Sequence, residues 1–317
     1  AQNPRHVKDL GDGEGEPVAG LLLALNNILQ RKGRTMTVLQ VPRVATISWI
    51  NSMSPEHEML FLHVGAAQNE YDDLHLQSSV WADGYGDFTT TRDGIRALIP
   101  DKDTFETTLG GLGIRGAGTD QIIVCLATDK SPWPYRAYWA LRYFGIENVC
   151  VAEASLRTML RGGLEDLPTK LPPVKVHCNL LDPDESLIAG KEDLLSSIKN
   201  STITEQILDC RSIEEYTGLP GDHPAPRQGR IPGAAHLNWE SLMDTTGKFH
   251  AQSQLLQLYQ DAGINQGSVI FPYCGGGIRS AVSWFAMSEI LKWDNVRNYD
   301  GSWAEWSYLT ELPIEKD

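Results

Sequence analysis

Cys274 lies in the stretch Val269-Ile-Phe-Pro-Tyr-Cys-Gly-Gly-Gly-Ile-Arg-Ser280, where an apolar run with strand character meets a glycine loop that leads into a helical pattern from Ala281 to Leu291. Glycines let successive backbone N–H groups turn into one concave anion-binding nest, and a helix that starts just beyond adds the positive end of its dipole. Arg279 adds a fixed positive charge. A thiol in this setting is expected to ionise below its usual range, and the thiolate is the nucleophilic form. The competing reading is a buried cysteine at a strand end beside a flexible turn. Three consecutive glycines followed by an arginine serve no packing purpose in that reading.

Four residues separate Cys274 from Arg279. Phosphatases that act through a cysteine thiolate use one more, so this loop encloses a smaller space, better matched to one sulfur atom than to a phosphoryl group. The expected chemistry is attack of the thiolate on a sulfane sulfur, storage of that sulfur as a persulfide, and its release to a nucleophilic acceptor. Loop amides would stabilise charge on the terminal sulfur. Cys274 and Arg279 are the expected catalytic residues, with Gly275, Gly276, Gly277, Ile278 and Ser280 forming the rest of the loop. The reaction needs neither a metal nor an organic cofactor.

The chain that must position this loop has 317 residues, enough for two domains, each able to bury a core. Its apolar share of 41% and charged share of 21% are those of an ordinary globular protein. A net charge of -14 argues against nucleic acid or an anionic membrane as partner, and it obliges an anionic substrate to find a local basic pocket. Five cysteines without a C-x-x-C pair suggest neither a disulfide framework nor a zinc site, and a reducing, cytoplasmic compartment fits best. The apolar run from Val18 to Leu29 is shorter than a membrane span and follows an acidic segment, so it reads as an amphipathic helix packed on the main body. The first residue is Ala1, which leaves a removed leader peptide open.

A repeat appears when the two halves are compared at the 147-residue interval from Ala127 to Cys274. Ile122-Ile-Val-Cys-Leu126 lies over Val269-Ile-Phe-Pro-Tyr273, Asn148-Val149 over Asn295-Val296, and Glu153-Ala-Ser155 over Asp300-Gly-Ser302. Strand-like runs are expected at Met59 to Val64, Gln121 to Leu126, Val149 to Val151, Gln206 to Leu208, Ser268 to Tyr273 and Val296 to Tyr299. Helical spacing is expected over Thr104 to Leu112, Tyr135 to Phe144, Ser253 to Ala262 and Ala281 to Leu291. Such alternation predicts an α/β fold, each copy a mostly parallel sheet with helices on both faces, with ligands bound at strand ends. The expected division is an N-terminal extension 1–43, a non-catalytic domain 44–169, a proline-bearing linker 170–184 and a catalytic domain 185–317. In the first copy the nucleophile is replaced by Ala127 and the nest by Thr128-Asp-Lys-Ser-Pro-Trp133; Cys125 reads as core.

Further residues carry a resemblance: the opening Asp209-Cys-Arg-Ser-Ile-Glu-Glu-Tyr-Thr-Gly218, the segment Gly229-Arg-Ile-Pro-Gly-Ala234, the loop Cys274 to Arg279, and the ending Asn298-Tyr-Asp-Gly-Ser-Trp-Ala-Glu-Trp306. With these the chain resembles the tandem-domain rhodaneses, the thiosulfate and 3-mercaptopyruvate sulfurtransferases. The second half matches throughout, the first in outline only. The resemblance implies two tandem rhodanese-like domains, a persulfide on Cys274, a small anionic sulfur donor, and a thiophilic acceptor such as cyanide, a thiol or a protein. Departures bear on the donor. Gly276 lacks the hydroxyl of the mercaptopyruvate pattern, Gly275 and Gly276 lack the basic residues of vertebrate thiosulfate enzymes, and Glu215 and Arg230 replace an arginine and a histidine. Arg227 and Arg230 either supply charge to an anionic donor or lie on the solvent surface. Arg211 either binds substrate or forms an ion pair with a neighbouring carboxylate, and Trp239 either walls the pocket or fills the core.

Other signals fit no chemistry. Gly111-Leu-Gly-Ile-Arg-Gly116 satisfies G-x-G-x-x-G but follows a helical run and precedes a strand, the reverse of a dinucleotide site. His57 and His63 are not spaced as zinc ligands, and His75 reads as structural. Thiosulfate is the expected donor. The alternatives are 3-mercaptopyruvate as donor, a protein or biosynthetic acceptor, an anion- or partner-binding module, and a cysteine phosphatase.

Overall fold

A computed structural model of the chain describes residues 40–54, 56–165, 175–200, 204–219, 221 and 225–317. The N-terminal run Val18 to Leu29, most of the 1–43 extension and residues 170–174 of the expected linker lie outside the described residues.

Apolar runs bounded by turns become buried parallel strands, because a strand covered on both faces needs no polar alternation. In the first half these are β1 (Val44–Ala45), β2 (Met59–Gly65), β3 (Ser79–Asp83), β6 (Ile122–Leu126) and β7 (Val149–Ala152). They form a five-stranded parallel sheet in the order β1-β7-β6-β2-β3, and every residue of β2 and β6 is buried. The second half contains β8 (Ile188–Ala189), β9 (Glu205–Asp209), β10 (Ala235–His236), β11 (Val269–Tyr273) and β12 (Asn298–Tyr299). Here β10-β9-β11 and β12-β8 are parallel ladders, joined where Ile270 donates to Asn295 O at 3.0 Å and Arg297 donates to Ile270 O at 2.9 Å. The resulting order, β10-β9-β11-β12-β8, repeats that of the first sheet.

The repeat extends to individual hydrogen bonds. Ile123 N–H donates to Asn148 O as Ile270 does to Asn295 O. Leu156 donates to Ala127 O as Trp303 does to Cys274 O, and Arg157 to Thr128 O as Ala304 does to Gly275 O. Each pair is related by the same 147-residue interval, so Ala127 and Cys274 occupy equivalent backbone positions. The chain is therefore an α/β protein of two tandem, mostly parallel sheets with flanking helices.

The helices that bear on the site are α1 (Lys102–Gly111), α2 (Trp133–Tyr143), α3 (Lys191–Asn200), α4 (Ile213–Thr217), α5 (Gln252–Asp261), α6 (Arg279–Phe285) and α7 (Ser302–Tyr308). All residues of α2 except Arg142 are buried, which marks it as a seam rather than a surface helix. Tyr135 and Tyr138 meet the Phe285 ring of α6 edge-on at 5.2 and 4.9 Å, and the Tyr138 hydroxyl donates to Glu289 at 2.7 Å. One hydrophobic cluster accordingly runs from Leu60 and Val151 in the first half to Leu208 and Val296 in the second.

Two expectations about local structure need correction. The pattern from Ala281 to Leu291 is not one α-helix: α6 gives way to a π-turn over Ala286–Ile290, closed by Leu291 N–H on Ala286 O at 2.9 Å. Likewise, of the run Val296 to Tyr299 only Asn298–Tyr299 is a strand, with Val296 forming a single bridge to Ile270. A hairpin absent from the sequence reading joins β4 (Thr90–Arg92) to β5 (Ile95–Leu98). Asp93 and Gly94 turn it with φ of 52° and 81°, both left-handed, as an Asp-Gly turn between antiparallel strands requires. The glycine-rich stretch after α1 is a helix end, with Ile114 N–H on Leu109 O and Gly113 at φ 82°. Among the described residues no helix is long and apolar enough to cross a membrane.

Candidate active site

Strand β11 ends at Tyr273, and the next residue, Cys274, stands between it and α6 with about 1% of its surface exposed. Burial opposes ionisation of this thiol. The Arg279 charge, the hydroxyl and N–H of Ser280, and the N–H of Gly276 more than offset it, and they hold the thiol below its ordinary value. The other four cysteines are pushed up, chiefly by burial, and all four are buried within the fold. Cys125 is thus a core residue as its place within the strand implied, and of the five thiols only that of Cys274 is held below its ordinary value.

The loop keeps its shape through the Tyr299-Asp-Gly-Ser-Trp303 segment. Ser302 Oγ accepts the N–H groups of Cys274 at 3.1 Å and Gly277 at 2.9 Å while donating to Tyr299 O at 2.7 Å. Asn298 Nδ2 donates to Gly277 O at 3.1 Å. Gly277 has φ 72°, and a Cβ there would come within 2.9 Å of Asp300 O and 3.0 Å of the Arg136 guanidinium, so conformation and space both demand glycine.

The first half contributes directly. Arg136 projects from α2 with no exposed surface; its guanidinium donates to Asp300 Oδ1 at 2.6 Å, to Gly277 O at 3.5 Å and to Ala97 O at 3.3 Å. Asp300 Oδ2 accepts the Ile99 N–H at 2.7 Å. Ala97, on the hairpin, packs so closely over the loop that a Cβ on Gly276 would meet its Cβ at 2.7 Å. Above the loop opens a cavity of about 800 Å³, walled by Tyr85, Thr89 to Thr91, Arg96 and Trp133 from the first half and by Cys274, Gly275, Gly276, Ile278 and Arg279 from the second. A cavity of about 390 Å³ adjoins it through Arg96, Gly275 and Ala304 and reaches Arg211, Glu215 and Trp303.

The equivalent place in the first half is nearly filled. Ala127 borders a space of only about 20 Å³. Thr128 Oγ1 lies within hydrogen-bonding distance of Glu70 O, Leu74 O and His63 Nε2. His63 is buried, its pKa lowered to about 4 by burial first and His75 second, so the ring is neutral at pH 7.

The expected loop residues thus converge around the sulfur: Gly275, Gly276, Ile278 and Arg279 on the cavity side, Gly277 and Ser280 turned inward. The expected binding residues behave differently. Arg211 forms a buried bidentate pair with Asp209 (2.6 Å for the closest contact), donates to Gly229 O and lies 4.6 Å from the Trp303 ring, and it borders the smaller cavity. Arg227 and Arg230, left between donor charge and solvent surface by the sequence, are held by groups of the chain itself. Arg227 donates to the carbonyls of Trp306, Ser307, Leu309, Thr310 and Leu312, tying down the end of α7. Arg230 pairs with Asp317 at 2.8 Å and lies over Tyr216 at 4.5 Å. Neither borders the cavities, because carbonyls and carboxylates of the chain's end lie within reach of both. Trp239 is about 7% exposed and packs in the core under Lys130, away from the cavities.

Sequence reasoning gave no role in the site to Arg136, Arg96 or Tyr85, quoted Ser302 and Trp133 only within the repeat and its motifs, and noted Glu215 only as a departure. A lone arginine in the apolar helix Trp133-Pro-Tyr-Arg-Ala-Tyr-Trp139 is a signal that a buried partner exists. Glu215 accepts both terminal nitrogens of Arg279, at 2.7 and 3.0 Å. Replacing Arg279 by alanine should move the midpoint of the pH profile for Cys274 alkylation upward by about one unit or more, as loss of an adjacent opposite charge does. An unmoved midpoint in folded protein would remove Arg279 from thiolate stabilisation.

A family model described as "Rhodanese-like domain" matches residues 191–308. A Haloferax volcanii protein named "Putative thiosulfate sulfurtransferase" is 31% identical over 295 residues, which span 86% of this chain and 96% of that protein. The "Sulfur carrier protein TtuD" of Thermus thermophilus is 29% identical over 282 residues, again 86% of this chain and 96% of its own. Among solved structures, EanB in a tetrahedral intermediate state with ergothioneine superposes with a TM-score of 0.71 at 18% identity, over 86% of this chain and 70% of that one. The anaerobic ergothioneine biosynthesis enzyme of Chlorobium limicola with trimethyl histidine gives 0.68 at 17% identity, over 92% and 68%. At such identities the likeness is one of fold.

Proposed function

This chain belongs to the tandem-domain rhodanese family of sulfurtransferases, and we propose that it moves the sulfane sulfur of thiosulfate to a thiophilic acceptor through a persulfide on Cys274. In the first half-reaction the thiolate attacks the outer sulfur of thiosulfate, the S–S bond breaks with its electron pair leaving on sulfite, and a Cys274 persulfide anion forms. In the second, an acceptor such as cyanide attacks the terminal sulfur, takes it as thiocyanate, and returns the thiolate. No oxidant or reductant is consumed, and donor and acceptor use the site in turn, which makes the kinetics ping-pong.

The observation that carries this reading is the single activated thiol, held among the Gly276 and Ser280 donors with Arg279 beside it. The same donors stabilise negative charge wherever the terminal sulfur carries it. Incubation with thiosulfate should add one sulfur atom to the intact mass, and cyanide should remove it with formation of thiocyanate. Protein that gains no cyanide-removable sulfur would overturn the reading, and an unreactive thiol in an alkylation titration would favour an anion- or partner-binding module instead.

Domains over 44–169 and 185–317 fit this reading, with the first as a wall and a buttress for the catalytic second. The cavity of about 800 Å³ is much larger than thiosulfate needs and favours a second reading for the acceptor: a thiol or a protein-borne group that receives the persulfide sulfur in a biosynthetic transfer. The relative named a sulfur carrier fits that alternative. Initial rates on thiosulfate and on 3-mercaptopyruvate, with cyanide as common acceptor, separate the two family donors. A reducing, cytoplasmic setting suits an enzyme whose nucleophile must stay a free thiolate.

A further inference from the structure

Glu215 takes no part in the bond changes above, yet it controls the charge that faces them. Its carboxylate is about 5% exposed and grips Arg279 in a two-point fork. The same side chain closes a capping box with Ser212 at the start of α4, so local chain geometry pins it to the wall of the smaller cavity. Burial works against its charge, but Arg279 first and then Arg211 more than offset this, so its pKa lies below the ordinary glutamate value. Arg279 therefore reaches the cavity with its charge largely compensated.

The remaining charges decide the consequence. Arg96, Arg211 and Arg279 border the joined cavities. Against them stand Asp83 and Glu215 on the walls, Asp209 gripping Arg211 from behind, and the Cys274 thiolate. Among the described residues the balance is one negative charge. A dianion entering this space meets net repulsion, and an organic donor with a single charge meets about half of it.

Resting on the sulfurtransferase reading, we infer that Glu215 is a specificity-determining positioning residue: by holding Arg279 it directs the site toward organic sulfane-sulfur donors carrying at most one negative charge, with thiosulfate accepted at a penalty in KM. Methanethiosulfonate is the matched probe. The thiolate attacks its outer sulfur, the S–S bond breaks with the electron pair leaving on methanesulfinate, and the same persulfide forms as from thiosulfate, with one charge fewer on donor and leaving group.

The test compares kcat/KM for the two donors in wild type, Glu215→Gln and Glu215→Asp. Glutamine serves the capping box as glutamate does and removes only the charge. The thiosulfate-to-methanethiosulfonate ratio is expected to rise at least about fivefold in Glu215→Gln, through a lower KM for thiosulfate, and to stay within about twofold of wild type in Glu215→Asp. An unchanged or lower ratio in Glu215→Gln overturns the inference. Wild type supplies an independent measurement that needs no variant to fold. Added NaCl should raise kcat/KM for thiosulfate relative to methanethiosulfonate, because screening relieves repulsion. A steeper fall for thiosulfate means net attraction and overturns the inference. Wild type that accepts sulfur from neither donor overturns the sulfurtransferase reading itself, a result distinct from an altered preference.

Discussion

Cys274→Ser protein is expected to fold normally and to lose sulfur transfer by on the order of a thousandfold or more, because the only side chain that can hold the sulfur is gone. Serine fills nearly the same buried volume, so the Ser302 and Asn298 hydrogen bonds that shape the loop persist. Its hydroxyl, however, has no tendency to ionise near neutral pH and cannot store sulfur as a persulfide. The measurement is twofold: thiocyanate formation from thiosulfate and cyanide, and the intact mass after thiosulfate alone. A sulfur adduct retained in the serine variant would locate the acceptor on another cysteine. That outcome conflicts with the raised pKa of all four alternatives, which burial keeps as neutral thiols.

Arg136→Met should cost about 3–5 kcal/mol of stability by leaving Asp300 buried without its partner. Thermal unfolding would register this as a fall in Tm of roughly 10 °C for a unit of this size. Turnover should fall as well, since the Gly277 carbonyl loses a donor beneath the loop and the hairpin loses the contact at Ala97 O. The loss belongs to the pair. The double variant Arg136→Met with Asp300→Asn should recover about 1 kcal/mol or more over simple addition of the two single effects, as residues in direct contact do. Additive effects would mean that the pair is not the element joining the halves. A first half that served only as a remnant of duplication would also leave turnover untouched in Arg136→Met.

How much of this was legible in the chain depends on how far apart the partners are. The apolar runs of β2, β6 and β11 and the 147-residue repeat rest on patterns within a few residues, and they appear in the structure close to where the patterns put them. The capping box from Ser212 to Glu215 and the Asp93-Gly94 turn were equally local and equally available, though neither was drawn from the sequence. What could not be drawn was their second use: Glu215 meets Arg279 from 64 residues away, and the turn carries Ala97 across to Gly276. Arg136 announced a buried partner by its place in an apolar helix but gave no means of choosing Asp300, 164 positions on.

The two alternatives left open for Arg227 and Arg230 could not be separated for a related reason. Arg227 and Arg230 have long side chains whose heads can swing toward a cavity or toward the chain's own end. The backbone carbonyls after α7 and the carboxylates of Glu315 and Asp317 hold them at the end. By itself the sequence determined the candidate nucleophile, the glycine loop around it and the sulfur chemistry proposed for them, because those groups are neighbours along the chain and their geometry follows from glycine, strand and helix start. Only the tertiary structure decided which charges face the donor and that the first half props and walls the loop. Those outcomes depend on which distant groups the packed sheets bring within a few ångströms of one another.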